Sequence, residues 1–428
     1  MLEQFIKNRI IANLSFVPNE GQHELLDKLS RFVVSSDRQK AFILLGYAGT
    51  GKTSIIAALV QAYKELQQKI VLLAPTGRAA KVISRYARTP AYTIHKYIYR
   101  QKQLGEAVFT LNDNLHKNTL FIVDEASMIS GVRDNTMFGS GTLLDDLVKY
   151  VYSGEGCSML LLGDDAQLPP VGSLISPALQ SDYMQKYGLH VTCSILTEVA
   201  RQAMDSGILR NASKIRPVAL GEGQIPHSTW DLLEESSDFI HITGAEVSEK
   251  LEQSYNEVGV EEVMLLTRTN KRTNIYNQGI RTRILWREEE IETGDRLMVS
   301  KNNYFWTEKY DGLPFLANGD ILEIKRLRNV RELYGFRFAD AQLRSLDYDW
   351  EIDAVVWLDT IYSDSPEANN ELHKQLFEHI AEDYPELAKS KKKLIETIYQ
   401  SPYYNALQMR FAYAVTGHKS QGGQWKHV

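Results

Sequence analysis

Short, almost unbroken apolar runs recur along the first half of the chain, and each closes on a polar turn. They are AFILLG (41–46), IVLLAPT (70–76), TLFIVDEA (119–126) and SMLLLGDD (158–165). Runs of this length without polar alternation fit strands covered on both faces. Segments with apolar residues at helical spacing lie between them, such as SIIAALVQAYKELQ (54–67). The alternation predicts an α/β fold with a parallel sheet whose ligands gather at the strands' carboxyl ends. EVMLLTRTN (262–270) and RFAYAVTGH (410–418) predict a second α/β unit. Two stretches break the rhythm. Residues 97–118 read as a β-hairpin excursion. Residues 301–400 begin strand-rich and turn helical and charged, which predicts a small β-barrel with helical decoration inserted into the second unit. Residues 1–15 read as a short N-terminal helix.

Composition narrows the class without naming a function. The 428 residues are 43% hydrophobic and 24% charged, ordinary for a globular chain long enough for two cores. No apolar run approaches the ~18–20 residues of a membrane span, and the N-terminus lacks the apolar core of a secretion signal. Cys157 and Cys193 are the only cysteines and form no CxxC pair. That pattern fits a reducing compartment, cytoplasmic or otherwise intracellular, with no disulfide framework and no zinc ribbon. The net charge of −6 argues mildly against a nucleic-acid partner. A local basic channel can sit on an acidic body, so the sites must decide.

The strongest site signal is LLGYAGTGKTS (44–54). Gly46 to Thr53 matches G-x-x-x-x-G-K-[ST] after a predicted strand and before a predicted helix. The loop Gly46, Ala48, Gly49, Thr50 and Gly51 turns backbone N–H groups onto phosphates, and the helix N-terminus at Ser54 adds partial positive charge. Lys52 is placed to reach the β- and γ-phosphates, and the Thr53 hydroxyl to bind Mg²⁺. FIVDEAS supplies the other half: Asp124 at a strand tip to hold Mg²⁺, Glu125 to orient or deprotonate the attacking water. Together they predict hydrolysis of a nucleoside triphosphate. Gln22, ahead of the loop strand, carries a donor and an acceptor that match the N6 and N7 edge of adenine, which makes ATP the expected nucleotide.

Four further motifs stand at strand ends: LLAPTGRAAKV (72–82), AYTIHK (91–96), LLGDDAQLPPVG (161–172) and YAVTGHKSQGGQW (413–425), with LTEVARQ (196–202) and LTRTNKRTNIYNQGIR (266–281) between. In this order they resemble the superfamily 1B helicases, the Pif-type, RecD-like and Dda-like enzymes, across nearly the whole chain. The resemblance implies two RecA-like P-loop domains, 16–96 with 119–195 and 196–300 with 401–428. It makes the 97–118 hairpin a duplex-splitting wedge and the 301–400 insertion a Src-homology-3-like barrel. It implies ATP with Mg²⁺ between the domains and single-stranded DNA across both. Pro75, Thr76, Gly77 and Arg78 then lie on the first DNA-facing loop and Thr93 and His95 on the second. Thr416, His418, Lys419 and Ser420 face DNA from the second domain. Gln167 senses the γ-phosphate, and Arg201 reaches it as an arginine finger. Asn270 and Asn277, with Arg281, line either the cleft or the DNA face.

The implied activity is an ATP-dependent helicase that moves 5′ to 3′ on single strands and opens duplex or structured DNA bearing a single-stranded tail, working as a monomer. Relatives continue past HKSQG to a further motif whose arginine also touches the γ-phosphate, whereas this sequence ends at GGQWKHV. Weaker ATPase and unwinding are expected from that ending, with nucleotide and DNA binding largely retained. Two other readings stand beside this one: a DNA-stimulated translocase that separates no strands, and a P-loop kinase, which leaves HKSQG and GDDAQLPP without purpose. APTGRAAKV suits the RecD-like and Pif-type groups equally.

Overall fold

The apolar runs of the first half become the strands of one sheet. The computed structural model describes residues 1–101, 109–133, 139–170, 172–198, 206–221, 233–307, 309–310, 315–346, 350–363, 366–387 and 390–428. The chain divides into two compact units, the first built from residues up to Ile242 and the second from Thr243 to Val428.

In the first unit the strands are β1 (Lys40–Gly46), β2 (Lys69–Ala74), β3 (Ala91–Thr93), β4 (Tyr99–Gln101), β5 (Phe109–Leu111), β6 (Thr119–Val123), β7 (Ser158–Gly163) and β8 (His190–Leu196). Six of them form a parallel sheet in the order β3-β2-β6-β7-β1-β8. The helices are α1 (Leu2–Ala12), α2 (Glu20–Val34), α3 (Lys52–Glu65), α4 (Gly77–Ala87), α5 (Ile94–Ile98), α6 (Leu143–Ser153), α7 (Ser181–Gln185) and α8 (Gly207–Ala219). Phe42 and Leu44 of β1, Ile122 of β6 and Leu160 of β7 are fully buried against Leu25 and Leu29 of α2 and Ile55 and Leu59 of α3. Each such side chain contributes about 1.5–3 kcal/mol by leaving water. That burial fixes the strands, and so fixes where their carboxyl ends point. Strands β4 and β5 pair antiparallel, Tyr99 with Leu111 and Gln101 with Phe109, which is the base of the expected hairpin. Its tip lies outside the described residues.

In the second unit the strands are β9 (Leu265–Thr267), β10 (Arg296–Val299), β11 (Ile321–Leu333), β12 (Phe336–Ser345), β13 (Glu351–Trp357), β14 (Leu407–Phe411) and β15 (Ala414–Thr416). The helices are α9 (Val247–Val258), α10 (Asn270–Gly279), α11 (Pro366–Glu382), α12 (Lys391–Tyr399) and α13 (Gly417–Ser420). β10 to β14 close into a barrel. α11 and α12 cover one side of it through Leu376, Ile380 and Ile398, which meet Phe338 and Trp357. The expected barrel is therefore present, with wider limits than 301–400, because β10 and β14 supply its first and last strands.

The run RFAYAVTGH does not form one strand. β14 ends at Phe411 in the barrel, and β15 begins at Ala414 beside β9 as a parallel pair. The buried Asn277 side chain makes the break. Its Oδ1 accepts from the N–H groups of Tyr413 (2.9 Å) and Ala414 (2.7 Å), and its Nδ2 donates to the carbonyls of Phe411 and Ala414. One amide thus does the work of a neighbouring strand where the chain changes sheets. Beside it, Asp295 is completely buried and binds Arg281 through Nε (2.9 Å) and Nη2 (2.8 Å), the Arg287 guanidinium (2.5 Å) and the Tyr413 hydroxyl (2.9 Å).

These contacts correct one expectation. Asn277 and Arg281 hold the framework of the second unit and line neither a nucleotide cleft nor a DNA face. A second difference concerns α8, which clusters with the first unit although the motif order assigns it to the second domain. Among the described residues the parallel sheet of the second unit has two strands.

Candidate functional site

The loop from Gly46 to Lys52 leaves β1 at its carboxyl end and turns directly into α3. Gly49 (φ 77°) and Gly51 (φ 88°) adopt left-handed backbone that other residues reach only at a cost. Tyr47 is the hub of the loop. Its carbonyl accepts from Lys52 Nζ (2.9 Å), Thr50 Oγ1 (2.8 Å) and Thr50 N (3.3 Å), and its N–H donates to Leu196. Lys52 Nζ also donates to the Gly46 carbonyl. Burial pulls the Lys52 ammonium below its usual pKa, and the nearby carboxylates of Asp164, Glu125 and Asp124 oppose the shift. Ala48 is exposed, and Thr53 and Ser54 are half-buried in the first turn of α3.

Gln22 departs from expectation. It is buried, and its Nε2 donates to the Thr50 carbonyl (3.0 Å) while its Oε1 accepts from Asn19 N in a capping box that starts α2. A Cβ on Gly51 would lie 2.9 Å from that Nε2. Gln22 therefore braces the phosphate loop and is not turned toward a base. Gln22→Ala is expected to lower nucleotide affinity without changing the preference for adenine over guanine, measured by titration with both triphosphates.

The acidic half of the site stands on the neighbouring strand tips. Asp124 follows β6 and Asp164 follows β7, and burial raises both carboxyls above their ordinary range. Asp124 Oδ1 caps the Glu125 N–H (3.0 Å) and Asp164 Oδ1 caps the Ala166 N–H (3.0 Å). Glu125 sits in the left-handed region (φ 51°), a cost on the order of 1 kcal/mol that aims its side chain off the strand. Burial first, and the Asp124 charge second, push its pKa up to about 7. Gln167 lies in the same turn, its N–H donating to the Asp164 carbonyl (3.3 Å). Among the described residues no group of three or more His, Cys, Asp or Glu side chains is arranged as a metal cage. Mg²⁺ needs none, because it binds through one or two carboxylates, phosphate oxygens and water. Buried carboxylates grouped beside Lys52 fit such a cation.

The proposed DNA edge of the first unit is two helix N-termini side by side. β2 and β3 are parallel neighbours with Ala74 opposite Thr93. Thr76 caps α4 by accepting from Ala79 N, and Thr93 caps α5 by accepting from Lys96 N, both at 3.2 Å. Pro75, Gly77 and Arg78 belong to the same turn, and Gly77 is buried. His95 follows Thr93 and touches the Tyr99 ring (5.8 Å between centroids). Burial lowers its pKa to about 4, so at neutral pH it offers a ring and not a charge. In the second unit, Asn270 opens α10 after β9, Thr416 ends the adjacent β15, and His418, Lys419 and Ser420 lie in the short helix after it. His418 and Lys419 are exposed. Lys419 Nζ donates to Asn318 Oδ1 (2.5 Å) of the FLANGD turn. Arg201 lies outside the described residues.

Sequence reasoning missed Arg216, on the last turn of α8. Its guanidinium lies over the Tyr47 ring, 3.7 Å from the centroid. No motif singles it out, and 169 positions separate the two residues.

Comparison with known proteins bears on the family of the chain. Residues 18–242 match the family model described as an AAA domain. The chain is 26% identical to the uncharacterized protein R530 of Acanthamoeba polyphaga mimivirus, over 96% of this chain and 92% of that protein. It is 28% identical to the ATP-dependent RecD2 DNA helicase of Deinococcus radiodurans over 45% of this chain, a match that spans 23% of that helicase. It is 24% identical to the ATP-dependent DNA helicase dda of Enterobacteria phage T4, over 71% of this chain and 66% of that protein. These matches support the superfamily 1B resemblance that the motifs carry.

Proposed function

Because the chain belongs to the AAA-domain family through residues 18–242, we propose that it is an ATP-driven DNA motor, a 5′-to-3′ helicase of the superfamily 1B type. One observation carries the reading. Lys52, Asp124, Glu125 and Asp164 converge at the carboxyl ends of the same parallel sheet that presents the capped N-termini of α4 and α5. The nucleotide residues and the capped turns after β2 and β3 thus share one sheet edge, which supports a reading in which a change at the first alters the grip of the second on DNA. The two named helicase relatives act on DNA with ATP, which favours DNA as the track. The polarity comes from the superfamily resemblance alone.

In this reading Asp124 and Thr53 would hold Mg²⁺, which would supply neutralisation of phosphate charge when bound. Lys52 would bind the terminal phosphate oxygens, and Glu125 would take the proton of the attacking water. ATP hydrolysis should rise on adding a single-stranded oligonucleotide. Duplexes with a 5′ tail should open and those with a 3′ tail should not. Lys52→Ala should cost about 10²–10³ in turnover. Hydrolysis indifferent to oligonucleotide would overturn the motor reading. Translocation without strand separation would leave a motor that remodels and does not unwind. Binding to single strands should weaken with salt at a slope of about −0.7 per phosphate contacted.

A further inference from the structure

Arg216 is placed like a ligand-binding group that has been parked and not like a surface ion pair. Its guanidinium covers the Tyr47 ring at 3.7 Å, and Tyr47 is the residue whose carbonyl gathers Lys52 and Thr50. Among the described residues Arg216 has no carboxylate partner, although its charge is felt by both Lys52 and Asp164. Tyr47 follows Gly46 at the end of β1, so the guanidinium lies against the phosphate loop itself. A guanidinium stacked on a ring keeps its N–H donors in its own plane, directed outward from the ring edge. Such a group satisfies no local acceptor and suits an incoming anion.

The helix that carries it is pinned. Asn211 Nδ2 donates to the Glu234 carbonyl (2.8 Å), and Glu234 N returns a bond to Asn211 Oδ1 (3.0 Å). At the helix start Asp238 accepts from the Ser206 hydroxyl (2.6 Å) and from Gly207 N (2.8 Å). These bonds tie the first half of α8 to the segment 234–238 that returns beside it.

We propose that Arg216 is a nucleotide-specificity residue, a second cation beside Lys52 that favours nucleoside triphosphate over diphosphate by meeting the terminal phosphate. The inference rests on the ATPase reading above and adds to it a residue of the first unit, distinct from the arginine expected at 201. Tyr47 positions the guanidinium and ties its location to the shape of the loop.

The test is equilibrium binding of fluorescent ADP and of a non-hydrolysable ATP analogue to the full chain, with thermal unfolding recorded for every variant. Arg216→Gln should weaken the triphosphate analogue by about tenfold or more and leave ADP within about threefold. Arg216→Lys keeps the charge but loses the planar stack, and should recover part of the preference. Tyr47→Leu should lower the preference with Arg216 intact. Equal weakening of both nucleotides, or none, overturns the assignment while the ATPase reading stands. If Arg216→Gln unfolds, an Arg216→Lys protein with the full wild-type preference overturns it equally. A wild-type chain that binds neither nucleotide would instead sink the ATPase reading itself.

Discussion

Glu125→Gln is expected to stop ATP turnover while leaving both ligands bound. The carboxylate stands one residue past the β6 tip, aimed by a strained backbone and beside the expected metal ligand Asp124. Glutamine has the same shape and hydrogen-bonding reach but cannot accept a proton from water. Removing a general base typically costs about 10²–10⁴ in rate. Nucleotide and oligonucleotide affinities should stay within about twofold, because the lost interaction forms only in the transition state. Steady-state hydrolysis with parallel binding titrations separates these quantities. Turnover above about a tenth of wild type would remove Glu125 from the chemistry.

Asp295→Ala is expected to produce the largest loss of stability. The wild-type carboxylate is fully buried and answers Arg281, itself almost fully buried, together with Arg287 and the Tyr413 hydroxyl. Truncation leaves guanidinium charge in the interior of the second unit with no counter-charge. Breaking a buried pair in this way costs about 3–5 kcal/mol. For a unit of this size that corresponds to a fall in unfolding midpoint on the order of 10 °C. The two units need not melt together, so calorimetry should show the shift in one transition and leave the other in place. A shift below about 2 °C would mean that water or a neighbouring acceptor replaces the carboxylate.

The first unit was largely legible because its signals are local. A run such as SMLLLG, short and closed by a polar turn, fits a buried strand, and the phosphate loop and the DEAS turn name the strand tips they follow. Other features depend on partners far away in sequence. Asn277 looks like any polar helix residue, yet it splits an apolar run 134 to 137 positions downstream. Gln22 carries the right groups for adenine, but a capping box and the Thr50 carbonyl claim them. Arg216 reads as a solvated helix end until α8 is docked. In each case a side chain bonds to backbone or to a ring, and such partners leave no trace in spacing or composition.

The barrel's doorway has a consequence for how such a chain can change over generations. β10 and β14 run side by side, with Leu297 opposite Phe411 and Ala412 N donating to the Arg296 carbonyl (2.9 Å). The polypeptide goes in and comes out through adjoining positions. The insertion is not free of its root, however, because its core is shared with Tyr255, Val263 and Ile280 outside the barrel. Any exchanged insert would have to bring an apolar face that fits those side chains.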